Sequence, residues 1–278
     1  MLALIALHLA AATAAPALVR VLDRRAFLVL ALVPAVAFAW VVAQTATVTG
    51  PGATAIEQEH SWVGTLNIEL SFRLTTLSWL MALLVSGIGA LVLIYCAQYF
   101  RAGDPEIWRF SGVFTAFAGA MLGLVLTDNL LLLYVFWELT TVLSYLLIGH
   151  NPERTANRRA AMQALIVTTF GGLAMLVGVI IIGESAGTYR ISDVLVAPPT
   201  GAAVTVAVVL LLVGALSKSA LIPFHFWLPG AMAAPTPVSA YLHAAAMVKA
   251  GVYLVALLAP AFSGVPGWRG VLLSLGLF

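Results

Sequence analysis

Three ionisable side chains fall inside long apolar runs of this chain: Glu138, Lys218 and Lys249. The two lysines are the only ones in 278 residues, and neither sits in a polar connecting stretch. A charge at the centre of a membrane helix costs about 2.5 to 3.5 kcal/mol on insertion scales, so each of the three must face a partner or a wet cavity. A carboxylate beside a lysine favours its charged form, whereas burial favours the neutral one, so changing their separation loads or releases a proton. A static buried pair that only locks helices together is the competing reading. His243 precedes Lys249 by six residues, which on a continuous α-helix is about 600° of rotation and about 9 Å of rise, or roughly 120° between the two directions. That is poor geometry for a shared metal and good geometry for successive proton stations. Histidine, whose ordinary pKa lies nearest neutrality, suits a relay. His225 follows Pro223 in an amphipathic stretch and reads equally as a relay group or as an interfacial residue beside Trp227.

The elements that must position these groups are membrane helices. The chain is 62% hydrophobic and 9% charged, with mean hydropathy +1.06, against about a quarter charged for a soluble domain. Apolar runs bounded by charge or by Pro and Gly predict spans over 2–19, 26–46, 74–97, 111–127, 129–149, 161–183, 201–222 and 237–259, with an incomplete one from 268. The expected fold class is therefore an all-α integral membrane bundle of about eight complete helices and a partial ninth. Pro223 has no N–H for the carbonyl of Ser219, which predicts a broken seventh helix one turn past Lys218. The Ala-rich first span has no Lys or Arg before it and reads as an uncleaved helix.

Eight arginines, including Arg24, Arg101, Arg154 and Arg159, fall at the odd-numbered connections and three, Arg73, Arg190 and Arg269, at the even-numbered ones. Cytoplasmic loops accumulate Lys and Arg, so the N-terminus is expected outside. The net charge of +2 and the lack of a basic patch with interleaved aromatics exclude nucleic acid as a partner. One cysteine, Cys96, excludes a disulfide framework within the chain. Asp128 reads as a helix cap in a tight turn, the Gly171-Gly172 pair and Gly178 as places of close helix approach, and His8, His60 and His150 as structural. The second connection, rich in Glu57, Glu59 and Glu69, reads as a long loop.

The strings FWELTTVLSYLLIG, ALIVTTFGGLAML and LSKSALIPFHFWLPGAMAAPTPVSAYLHAAAMVKAGVYL resemble the antiporter-like subunits shared by respiratory complex I and the Mrp-type sodium/proton antiporters. The likeness runs from about residue 60 to the end. Lysine in MVKAG and the FGGLAML run look like the large A-type subunit of the Mrp antiporters; the L (ND5-like) subunit of complex I is the alternative. The resemblance implies part of a fourteen-helix fold built on two inverted five-helix repeats, each with a broken helix. It divides this chain into N-terminal helices (1–110), a first proton-translocating repeat (111–259) and the start of a second (260–278), as in an N-terminal fragment. It implies Glu138 and Lys218 as a coupling pair, Lys249 as the central proton carrier, and His225 and His243 as relay members. No cofactor is implied and no metal site is assigned. The partners implied are the other subunits of a hetero-oligomer, the lipid bilayer, and protons and sodium as transported ions, in a cell membrane. A membrane scaffold whose buried charges only lock helices is the remaining rival.

Overall fold

The computed structural model describes residues 1–63 and 68–276. Among them the chain is mostly helical: α1 (Leu2–Leu22), α2 (Ala26–Ala43), α3 (Thr45–Thr49), α4 (Thr76–Tyr99), α5 (Ile107–Leu126), α6 (Leu130–Ile148), α7 (Thr155–Ala186), α8 (Ile191–Val196), α9 (Ala202–Lys218), α10 (Trp227–Ala231), α11 (Thr236–Val238), α12 (Met247–Phe262) and α13 (Trp268–Gly276). Six helical stretches are long and apolar enough to cross a membrane, the first running over Leu2–Ala43 and the last over Thr236–Phe262. The first is divided at Asp23, whose φ of 50° ends α1 before the short 3-10 turn Asp23–Arg25. Positive φ at a non-glycine residue cannot continue a helix, so α1 and α2 are separate rods. α9, 17 residues long, falls short of a full span.

Contacts between connections define two faces. Met1 donates to Gln58, Thr76 donates to the carbonyl of Val48, and the backbone N–H of Asp128 donates to Ser71, which gathers residues 44–63, 68–75 and 127–129 on one face. At the other end Arg24 donates to the carbonyl of Phe100, and the Gly103 N–H donates to Asp23. This second face carries the arginine-rich connections.

The second connection is not the long loop expected. Strands β1 (Ile56–Val63) and β2 (Ile68–Leu74) pair antiparallel, with Ile56 opposite Leu74 and His60 opposite Leu70. The signal lay in the alternation Leu70, Phe72, Leu74, a period of two that sends one set of side chains to one side. Phe72 and Leu74 are indeed buried. The hairpin is fastened by Arg190, from the α7–α8 connection. Its Nε lies 3.3 Å from Asp128, its Nη2 3.1 Å from Glu57, and it also pairs with Glu59. Asp128 accepts in addition from Ser192 Oγ at 2.6 Å and from the Ser192 backbone N–H at 3.0 Å. The helix cap expected at Asp128 is provided by Asn129 instead, whose side chain accepts from the N–H groups of Leu131 and Leu132. Asp128 is turned to the clamp because its carboxylate, nearly buried, has a guanidinium to neutralise it there.

Arg190→Ala is expected to lower the melting temperature of the detergent-solubilised protein by several degrees. It strands the Asp128 carboxylate with a desolvation penalty of about 1–3 kcal/mol, while the exposed pairs to Glu57 and Glu59 add under about 1 kcal/mol each. Arg190→Lys should recover only part, since an ammonium cannot fork between three carboxylates. An unchanged melting curve in Arg190→Ala would show that the clamp contributes nothing.

Candidate functional site

The seventh span breaks sooner than the position of Pro223 predicts. α9 ends at Lys218 itself, and Ala220 takes a left-handed φ of 52°. The N–H of Leu221 bonds to the carbonyl of Leu216 and that of Ala220 to the carbonyl of Ser217, the closing pattern in which the last free carbonyls of a helix fold back on the chain. The broken stretch then passes through the turn Phe224–Phe226 and α10. Trp227 returns to the break, its indole N–H donating to the carbonyl of Ser217 at 3.0 Å.

Lys218 is fully buried, and its ammonium reaches across to α6. Nζ donates to the carbonyl of Trp137 at 2.5 Å, to Thr140 Oγ1 at 2.6 Å and to Thr141 Oγ1 at 3.0 Å. It also lies 4.6 Å from the centroid of the Trp137 ring. All three N–H donors of the ammonium are therefore met by neutral groups. Glu138, the expected coupling partner, makes no contact ion pair with it: among the described residues no carboxylate lies within salt-bridge distance of Lys218. The reason is geometric. Trp137, Thr140 and Thr141 offer acceptors on the side of α6 that meets α9, while Glu138 turns to α7. There its Oε1 is buried without a partner against Gly172, where a Cβ would collide with the carboxylate. A Cβ on Gly171 would likewise run into Ser217. The glycine pair lets α7 close on both α6 and α9, and the lysine and the carboxylate sit on adjoining sides of that meeting point.

The eighth span is not one continuous α-helix. A π-helical turn, Ser239–Ala245, separates α11 from α12, and Ala246 has non-helical φ and ψ of −123° and −77°. The rotation expected of an unbroken helix between His243 and Lys249 therefore does not apply. His243 is buried, with neither ring nitrogen hydrogen-bonded among the described residues and its ring centroid 6.1 Å from that of Trp227. Lys249 is exposed on the outer side of α12, and His225 is exposed at the break. Ser219 Oγ donates to the carbonyl of Val248 at 2.8 Å, so the turn before Lys249 is tied to the end of α9.

The structure thus brings Glu138, Lys218 and His243 to one internal region and leaves Lys249 and His225 at the surface of the described residues. Buried polar atoms without a protein partner mark the same region. Among the described residues, and apart from Arg73 Nε, which lies 3.0 Å from Glu57, they are Trp137 Nε1, Glu138 Oε1, Ser239 Oγ and the two nitrogens of His243. Sequence reasoning missed the parts played by Thr140 and Trp227. The adjacent hydroxyls of Thr140 and Thr141, one turn beyond Trp137 in an otherwise apolar helix, were the available signal.

Comparison with known proteins adds the family. A model described as NADH:quinone oxidoreductase/Mrp antiporter, TM matches residues 127–278, more than half of the chain. The chain belongs to this family. A second model, NADH-Ubiquinone oxidoreductase (complex I), chain 5 N-terminus, matches residues 61–111. Among relatives in the antiporter family, the chain is 47% identical over 222 residues to the A/B subunit of a probable K(+)/H(+) antiporter of Rhizobium meliloti, covering 78% of this chain and 22% of that one. It is 43% identical over 249 residues to the A subunit of a Na(+)/H(+) antiporter of Alkalihalophilus pseudofirmus, covering 88% of this chain and 31% of that one. The structure of the Mrp complex from Dietzia sp. superposes with a TM-score of 0.88 at 36% identity, over 99% of this chain and 30% of that chain. The chain spans less than a third of the length of each of these three relatives. An archaeal membrane-bound sulfane sulfur reductase shares the fold, with a TM-score of 0.81 at 23% identity.

Proposed function

We propose that this chain forms a proton-translocating part of the A-type subunit in a multisubunit Mrp-type antiporter exchanging a monovalent cation for protons. The observation that carries the reading is the fully buried Lys218 at a broken helix end, held by neutral oxygens beside an unbonded Glu138. A lysine and a carboxylate that are close but not in contact leave room for the proton affinity of each to follow small changes in their spacing. His243 and Ser239, buried and unbonded, continue the polar line, since atoms of this kind take water as partner. In this reading Glu138 sets the proton affinity of Lys218, His243 relays, and Lys249 carries the proton onward from the outer side of α12. His225 serves at the approach to the break. The arginine-rich face lies in the cytoplasm and the hairpin face outside. Other antiporter subunits and lipid cover the remaining apolar surface, and residues 111–259 act as the first translocating repeat.

The test is cation-driven proton flux in everted vesicles from antiporter-deficient cells expressing the intact parent complex, with and without Lys249→Ala. Flux should depend on sodium or potassium and should fall at least about tenfold in the variant, a change of about 1.4 kcal/mol in the barrier, with the complex normally assembled. Unchanged flux removes the carrier role of Lys249. Flux through the unmutated complex that ignores the cation would favour the respiratory relatives instead.

A further inference from the structure

A basin of about 890 Å³ opens on the arginine-rich face, between the α4–α5 connection, the α6–α7 connection and the residues leading into α11. His150 lines it. The imidazole is 7% exposed, packed edge-on against Phe100 and Phe110 with centroids 6.0 and 5.1 Å away, and neither ring nitrogen makes a hydrogen bond among the described residues. A titratable ring held in an aromatic wall yet facing a polar basin is an unusual choice for a packing residue.

The charged groups around it come from three elements. The connection before α5 brings Arg101 and Asp104, the start of α5 brings Glu106 and Arg109, and the connection after α6 brings Glu153 and Arg154. Arg109 pairs with Glu106 at 2.9 Å and donates to the carbonyl of His150 at 2.5 Å. The residues leading into α11, Ala233 to Thr236, bring no charge. Burial, with Arg109, holds the His150 imidazole below its ordinary value, against the pull of Glu106 and Asp104. Thr236, on the basin wall, begins the segment that carries the unbonded Ser239 one turn later and the unbonded His243 one turn after that.

We propose that His150 is a proton-loading residue at the cytoplasmic mouth of the path, and that the basin is a further approach, besides that at His225, which feeds Ser239 and His243. The proposal rests on the translocation reading above. A ring nitrogen of His150 takes a proton from water in the basin and returns it to water on the Thr236 side, leaving the imidazole unchanged after each transfer.

Two experiments on the intact parent complex test it. His150→Phe keeps the aromatic packing and removes the titrating group. It is expected to lower flux about three- to tenfold and to remove an inflection in the flux–pH profile on the acid side of the ordinary imidazole range. Wild-type rate and profile in assembled His150→Phe complex would overturn the role of His150, while Lys249→Ala still reports on the wider reading. Separately, Thr236→Cys and Ser239→Cys should both react with a membrane-impermeant methanethiosulfonate added from the arginine-rich face, against a background kept low in this chain by the burial of Cys96. Reaction at Thr236→Cys with none at Ser239→Cys would make the basin a dead end and overturn the route, whether or not His150→Phe assembles.

Discussion

Lys218→Ala in the intact parent complex is expected to abolish cation-driven proton flux, by at least about a hundredfold, which is about 2.7 kcal/mol of barrier. The substitution removes the only ammonium at the helix break and leaves the carbonyl of Trp137 and the hydroxyls of Thr140 and Thr141 without their shared donor. Lys218→Arg discriminates between the translocation and scaffold readings. A guanidinium keeps the charge but does not release its proton in proteins. A transporting role therefore predicts that arginine is as inactive as alanine wherever the complex assembles. A scaffold role predicts that arginine, which can still donate to the same oxygens, rescues. Flux measured alongside co-purification of the partner subunits separates the two, and substantial flux in assembled Lys218→Arg would sink the carrier role.

Gly172→Ala is expected to cost flux rather than stability. The added methyl meets the Glu138 carboxylate, the far end of a flexible side chain, so the carboxylate moves and the backbones of α6 and α7 do not. Since the proton affinity of Lys218 depends on its spacing from Glu138, flux should fall about tenfold, with its pH profile displaced and the melting temperature within a degree or two of wild type. Gly178→Ala is the contrasting control. Its methyl would lie 2.6 Å from the carbonyl oxygen of Ala207 on α9, which is backbone and cannot swing aside. There the helices must separate, and thermal stability should drop by about 1–3 kcal/mol, the usual cost of overpacking. If Gly172→Ala left both rate and pH profile unchanged, Glu138 would not be held in a functional position by α7.

On the proposed translocation reading, the absence of a direct Glu138–Lys218 contact bears on how the pair would work. In a contact pair the attraction is at its maximum and can only be lost. At an intermediate spacing, with the lysine on neutral oxygens, a small movement of α7 or of the α9 end changes the interaction in either direction, and in a poorly hydrated interior such changes are weakly screened. The ends of α9 and α12 are joined through Ser219 and Val248, and Gly251 lets them approach because a Cβ there would strike Ala215 and Ser219. The segment carrying Lys249 is thereby tied to the helix end carrying Lys218.

Much was legible without coordinates. The spans were readable because lipid leaves no partner for a free backbone N–H or C=O, so apolar runs of about 20 residues have one economical conformation. Glu138, Lys218 and Lys249 stood out because their types are wrong for that solvent, and Pro223 announced a break because it lacks a donor. Such statements depend on composition and local covalent chemistry, which a sequence contains in full.

What tertiary structure decided were matters of direction and partner. Glu138 and Lys218 are 80 residues apart in the chain, and how they face each other depends on Gly171 and Gly172 letting α7 close on Ser217 and on the Glu138 carboxylate. Asn129 rather than Asp128 caps α6 because Arg190 and Ser192, over 60 residues later, claim the Asp128 carboxylate. The π turn at Ser239–Ala245 set His243 and Lys249 to the interior and the exterior in a way no regular helical repeat foretells. The basin around His150 is assembled from three separate connections, so a histidine that looks structural in the sequence lines a polar basin in the fold. Solvent preference belongs to each residue alone, whereas a contact belongs to two backbones whose approach is settled by packing over the whole bundle.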